Sequence, residues 1–181
     1  MQKFILLILL TFMAFPFFAQ EGKIETFKHS SETYPLMKKR TIYVYLPKAY
    51  FNAKNENKKF PVLYMFDGQN LWDKKSSAWG GWKVETAMEK LVKKRKMPPC
   101  IIVGLSCSVN RTKEYAGWCN ELPPGEKITD PEEFKQYAKD HRLMIVEEII
   151  PLIEKKYRAI SDRSGRVIAG SSYGAFLAAH F

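Results

Sequence analysis

Cysteine is scarce: the 181-residue chain has three, at positions 100, 107 and 119. An odd count, with no C-x-x-C spacing and no histidine placed for zinc, excludes a disulfide scaffold and a zinc ribbon. A Cys107–Cys119 bridge in an exported chain and two free, partly buried thiols both fit the spacing, so no chemistry is assigned to them. Glycine and proline, ten of each, are too few for a collagen-like or low-complexity chain. Long polar tracts are missing. Hydrophobic residues make up 46% and aromatics 14%, enough to offset the entropy of ordering, which excludes disorder. Away from the N-terminus no apolar run is long enough for a membrane helix, and the mean hydropathy of −0.30 is that of a chain that folds in water.

Arginine is also in short supply. The net charge of +10 comes from 29 Lys and Arg against 19 Asp and Glu, and only seven of the basic residues are Arg. Base readout leans on bidentate Arg, whereas scattered Lys makes a solvated surface, so no nucleic-acid partner is expected. The densest run, Lys93-Lys94-Arg95-Lys96, falls at the end of a predicted helix, where cations complement the macrodipole.

What the chain does have begins with a leader. Lys3 precedes the apolar stretch Phe4–Leu10, followed by Phe12–Phe15, Pro16 and Ala19-Gln20. A positive start, a short apolar core and a small residue before Gln20 read as a secretory signal peptide over 1–19, although Phe17 occupies a position where a small residue is usual. The remaining 20–181 suits one domain. The protein is accordingly expected to be secreted or periplasmic, with no stable membrane insertion after cleavage.

Strands are expected at Ile24–Phe27, Thr41–Leu46, Pro61–Phe66, Cys100–Leu105 and Arg166–Ala169. The unbroken apolarity of Pro61–Phe66 and Cys100–Leu105 suits strands buried on both faces. Val84, Ala87, Met88, Leu91 and Val92 mark a helix over Trp82–Lys96, stopped by Pro98-Pro99. Asn52–Lys59 reads as a surface loop, and a longer loop runs through Arg111, Tyr115 and Trp118 to Pro123-Pro124-Gly125. Asp130-Pro131 with Glu132 and Glu133 signals a helix start, and Pro151 must kink or restart that helix. A last helical run covers Ala175–Phe181. Alternating strands and helices give an α/β fold with a mostly parallel sheet flanked by helices.

One motif carries chemistry. Gly170-Ser171-Ser172-Tyr173-Gly174 matches G-x-S-x-G with Ser172 at its centre, between a β-branched strand and a small-residue helix. A nucleophile elbow turns so tightly that side chains two residues on either side of the serine would collide, which calls for glycine at both. The turn lifts the hydroxyl beyond the strand end, and the Tyr173 amide is placed to help hold an oxyanion. A second donor is expected in the loop after Pro61–Phe66, which reads Asp67-Gly68-Gln69-Asn70-Leu71-Trp72-Asp73. Gly68 permits close backbone approach there, and the Gln69 amide is the candidate.

Several short runs accompany the elbow in order. Val44-Tyr45-Leu46-Pro47 precedes Asp67-Gly68-Gln69-Asn70; Asn110-Arg111 and Glu114-Tyr115 follow, then Tyr157-Arg158 and Asp162-Arg163. Together, from about Lys38 to Phe181, they resemble the esterase D-like branch of the α/β-hydrolases. That branch includes feruloyl and acetylxylan esterases, siderophore esterases, S-formylglutathione hydrolase and mycolyltransferases. The resemblance implies a Ser-His-Asp/Glu triad, an oxyanion amide at Gln69, and no cofactor or metal for the chemistry. It also implies a small-molecule or carbohydrate-linked ester as substrate. The chain departs from the usual pattern at Tyr173, where Met or Leu is common, and at Ala175, where a second Gly is common.

The triad partners are missing. The expected order is Ser, acid, His, but the nine residues after Ser172 contain no acid, and His180 lies about two helical turns from the elbow. His29, His141 and His180 are expected to be satisfied or solvent-facing rather than catalytic. The chain is therefore expected to be an N-terminal piece of a longer esterase, its hydrolase fold incomplete on the C-terminal side and the Phe176-Leu177 face left open. Arg111 is expected either to meet substrate or to pair with Glu114. Trp79, Trp82 and Trp118 are the aromatics available to stack on a sugar. The competing functions are a non-catalytic, carbohydrate-binding hydrolase-like module and an acyltransferase that uses the same residues.

Overall fold

The computed structural model describes residues 21–73, 77, 80–119 and 127–181. The segment expected to be a leader and Trp79 lie outside the described residues. Five strands, β1 (Lys23–His29), β2 (Arg40–Leu46), β3 (Val62–Phe66), β4 (Ile101–Leu105) and β5 (Arg166–Ala169), form one sheet in the order β1-β2-β4-β3-β5. β4, β3 and β5 run parallel, while β1–β2 and β2–β4 pair antiparallel. The sheet is thus mixed, with a parallel half that carries the C-terminal motif. The helices are α1 (Val84–Lys93), α2 (Arg111–Ala116), α3 (Pro131–Met144), α4 (Ile150–Lys156) and α5 (Tyr173–Ala178).

Alternation along the strands divides the core in two. Ile42, Val44, Val62, Tyr64, Phe66, Ile101 and Val103 are buried with Met144, Ile145, Ile149, Ile153 and Leu177. Tyr45 and Ile102 pack with Leu71, Trp72 and Met88, and the half-buried Leu63, Met65 and Val84 join them. Each aliphatic or aromatic side chain so buried contributes roughly 1.5–3 kcal/mol by transfer from water, an upper bound because the unfolded chain is not fully extended.

Helix ends follow the sequence chemistry, with one substitution of mechanism. The Asp130 side chain accepts the Glu132 and Glu133 amides at 3.1 and 3.0 Å, and Pro131 opens α3. Pro151 has no N–H to donate. Residues 145–149 widen into a π-turn before α4 resumes, which absorbs the lost bond. The helix expected over Trp82–Lys96 is α1, and it ends at Lys93. Arg95 turns left-handed (φ 56°), so its amide reaches the Val92 carbonyl and that of Lys96 the Leu91 carbonyl. This Schellman pairing closes the helix without the prolines.

The loop expected through Arg111 and Tyr115 instead contains α2, with Glu114, Tyr115 and Ala116 buried. Its polarity conceals a buried ion pair. Arg40 Nη2 donates to Glu114 Oε1 at 3.1 Å, Ser108 Oγ donates to the same oxygen at 2.6 Å, and both charged side chains are fully enclosed. Asn52–Lys59, expected as plain loop, holds a short 3-10 turn at Ala53–Asn55. At the β5 edge Val167 and Phe176 remain more than half exposed, whereas Leu177, expected to be open with Phe176, is completely buried.

His141 is enclosed beside this ion pair and stacks on Tyr115 at 5.5 Å. Burial, aided by the Arg40 charge, pushes its pKa down to about 3. The unfolded chain takes up this proton near pH 6.5, whereas the native protein does so only near 3. Stability is therefore full above pH 6.5 and falls as pH drops through that window. Glu114 acts in the same direction below the ordinary carboxylate range: burial works to raise its pKa, but His141, Arg40 and Ser108 hold it lowered. Between pH 7 and 5 the His141 contribution amounts to about 2 kcal/mol. Urea unfolding at the two pH values is expected to show this loss, and His141→Phe is expected to remove most of the difference.

Candidate active site

The parallel register brings three strand ends level. Phe66 pairs with Leu105 across β3–β4, and Met65 with Ala169 across β3–β5. The loops that follow, Asp67–Asn70, Ser106–Asn110 and Gly170–Ser172, therefore emerge together beyond the carboxyl ends of the strands, where open α/β sheets place ligands. A cleft of about 590 Å³ opens there, lined among others by Gln69, Trp82, Cys107, Arg111, Ser171 and Ser172.

Ser172 stands at the joint of β5 and α5, exposed, with φ 53° and ψ −127°. Positive φ is rare for a residue with a side chain and stores of order 1–3 kcal/mol. The bend closes as the Gly174 amide bonds the Ser171 carbonyl at 2.9 Å and the Ala175 amide the Ser172 carbonyl at 2.8 Å. A Cβ on Gly170 would drive into the Gly174 carbonyl, so the first glycine of the motif is required by space. One on Gly174 would stand 3.2 Å from Phe66 Cβ, a tighter fit than side chains usually accept. Tyr173 is the first residue of α5, so its amide stands at the N-terminal end of that helix.

Across the cleft, Gly68–Asn70 form a short 3-10 turn. Gly68 is buried, and a Cβ there would overlap the Gly104 backbone of β4, so the turn lies directly on the sheet. The Gln69 side chain is clasped to the end of β4. Its Nε2 donates to Cys107 Sγ at 3.2 Å, and its Oε1 accepts the Cys107 amide at 3.2 Å. Burial first, then the Asp67 charge, pushes the Cys107 thiol up, which keeps it protonated and a poor nucleophile.

Arg111 lines the cleft but does not pair with Glu114, as local spacing suggested; Glu114 belongs to Arg40. Its Nε and Nη2 donate to Asp67 Oδ1 and Oδ2 at 2.8 and 2.7 Å, and this bond raises the guanidinium pKa further. The planar group lies over Tyr115 at 4.9 Å. None of the three histidines lines the cleft. His29 pairs with Glu148 at 2.7 Å, His141 is buried, and His180 stacks on Trp118 at 4.8 Å. Cys100, Cys107 and Cys119 are all free.

Sequence reading missed Asp67 and Cys107 as parts of this site. Asp67 stood in the Asp-Gly-Gln-Asn run, but its partner is 44 residues away and leaves no local signal. Trp82, one of the aromatics the sequence offered for stacking on a sugar, lines the cleft, and its amide bonds the Asn70 carbonyl at 2.9 Å.

Known proteins resemble this chain in sequence and fold. An endo-1,4-beta-xylanase/feruloyl esterase from Xylanibacter ruminicola is 29% identical over 141 residues, covering 76% of this chain and 16% of that protein. A solved ferulic acid esterase is 30% identical with a TM-score of 0.57, over 85% of this chain and 50% of its own. An IroE-like serine hydrolase from Shewanella oneidensis, 23% identical with a TM-score of 0.62, shares the fold over 44% of its length. The chain thus spans half or less of each of these relatives. The α/β-hydrolase-type sheet is common to them. The family described as "Putative esterase" matches residues 34–180, nearly all of the described domain, and the chain belongs to that esterase family.

Proposed function

We propose that this chain is the nucleophile-bearing part of an exported serine esterase that works through an acyl-enzyme. The observation that carries this reading is the left-handed bend at Ser172, which opens an exposed hydroxyl into the cleft that Gln69 also lines. Ser172 Oγ attacks the acyl carbon of the ester, and the carbonyl oxygen takes up the negative charge. The Gln69 and Tyr173 amides hold that oxyanion, each donor being worth about 3–4 kcal/mol in the transition state. The C–O bond to the alcohol breaks, the alcohol leaves with a proton, and water later releases the acid from Ser172. A serine is a weak nucleophile without a base. In this reading the histidine and its acid come from residues outside this chain. Gly68 sets the approach of the turn, and Trp82 faces the substrate. Export is proposed on the leader read from the sequence of 1–19. The feruloyl esterase relatives support an aromatic acyl ester carried on a carbohydrate as the substrate class.

The test is pre-steady-state hydrolysis of p-nitrophenyl acetate and of methyl ferulate by the product of the full open reading frame. A burst of alcohol approaching one equivalent per active site, followed by slower turnover, is expected of an acyl-enzyme. A folded product with no hydrolysis of either ester and tight binding to xylan would favour the binding module. Acid transferred to an added sugar in place of water would favour the acyltransferase.

A further inference from the structure

The Asp67 carboxylate is almost fully buried, on a residue held in the left-handed region (φ 55°) immediately before the turn that carries Gln69. Glycine takes that conformation freely, so an aspartate there pays about 1 kcal/mol for the privilege. Its carboxylate is matched in the bidentate fashion by Arg111, at 2.8 and 2.7 Å. Its backbone is held as well. The Asp67 amide donates to the Tyr115 hydroxyl at 3.3 Å, and its carbonyl accepts the Asn70 amide at 2.8 Å, which closes the turn around Gln69.

The other side of the carboxylate meets the elbow. A Cβ built on Gly174, the residue after Tyr173, would stand 3.5 Å from Asp67 Oδ2. The Arg111 guanidinium lies over the Tyr115 ring at 4.9 Å and over the Tyr173 ring at 5.8 Å. The ion pair therefore lies between the turn bearing the Gln69 amide, to which Asp67 belongs, and the first turn of α5, where Arg111 reaches the Tyr173 ring. We infer that Asp67, braced by Arg111, is a positioning residue: a charged strut that sets the spacing of the two oxyanion donors. This rests on the Ser172 esterase reading and deepens it.

A strut that never touches the substrate acts on the transition state and not on ground-state binding. Asp67→Asn keeps the shape and removes the charge. In the full open-reading-frame product, with p-nitrophenyl butyrate as probe, it is expected to lower kcat about 100-fold while KM stays within about threefold. Arg111→Ala is expected to do the same, and millimolar guanidinium to restore its kcat about tenfold. No such rescue is expected in the Asp67→Asn/Arg111→Ala double variant, because the added cation has lost its anchor. Unchanged kcat in Asp67→Asn, or a raised KM at constant kcat, would overturn the inference. So would equal rescue of the single and double variants. Should Asp67→Asn fail to fold, rescue of Arg111→Ala decides alone: recovered kcat supports the strut and unrecovered kcat contradicts it. If the wild-type protein neither hydrolyses the ester nor reacts with a fluorophosphonate, the esterase reading itself fails, a result distinct from a failed strut in an active enzyme.

Discussion

Replacing Ser172 with alanine is expected to cut kcat for ester hydrolysis by about 10⁴- to 10⁶-fold, with KM nearly unchanged. The missing oxygen is the atom that forms the new bond, and no neighbouring hydroxyl replaces it, since Ser171 stands before the bend and not at its apex. The fold is expected to survive. Ser172 is exposed, and alanine suffers the same backbone strain that serine already bears. Ser172→Gly, equally inactive, is expected to be about 1 kcal/mol more stable, because glycine removes the cost of φ 53°. Steady-state kinetics alongside urea unfolding of the two variants check both halves: activity falls in each, while stability holds in one and rises in the other.

The second large effect concerns the fold beneath the site. Arg40→Ala is expected to cost about 3–5 kcal/mol, because it leaves the Glu114 carboxylate enclosed without its counter-charge. Arg40 and Glu114 are both fully buried, and Arg40 Nη1 and Nη2 reach the two carboxylate oxygens at 3.4 and 3.1 Å. Glu114 sits one turn after Arg111 in α2, so its loss loosens the helix that aims Arg111 at Asp67. The double variant Arg40→Met/Glu114→Leu, which removes both charges and fills the space, is expected to recover most of the loss. Chemical denaturation of the two single variants and the double gives the coupling directly. A cost below about 1 kcal/mol for Arg40→Ala would place this pair among solvent-screened contacts, contrary to its burial.

The elements that could be foreseen are those whose cause is local. Five strands and the long α3 follow from apolar runs, an aspartate cap and proline, all within a few residues of one another. The bend at Ser172 was legible for the same reason, since two glycines flank the serine at the spacing that close packing requires. What escaped depends on partners distant in sequence. α2 looked like loop because its polar residues bury a glutamate whose arginine comes 74 residues earlier. Arg111, expected either to meet substrate or to pair with the nearby Glu114, has Asp67 as its partner. The Gln69 side chain reaches Cys107, 38 residues on, a contact that no spacing rule announces. α1 stopped before its prolines because a Schellman turn, formed by a left-handed arginine, needs no breaker.

The proposed chemistry depends on the Ser172 oxygen being the reactive one, and covalent capture addresses it most directly. The full open-reading-frame product is treated with a fluorophosphonate and digested, and the modified peptide is sequenced by tandem mass spectrometry. One phosphonyl group per molecule, on Ser172, with none on Ser171 and none in Ser172→Ala, is the expected result. A folded, ester-hydrolysing protein modified at another residue, with Ser172 untouched, would contradict it.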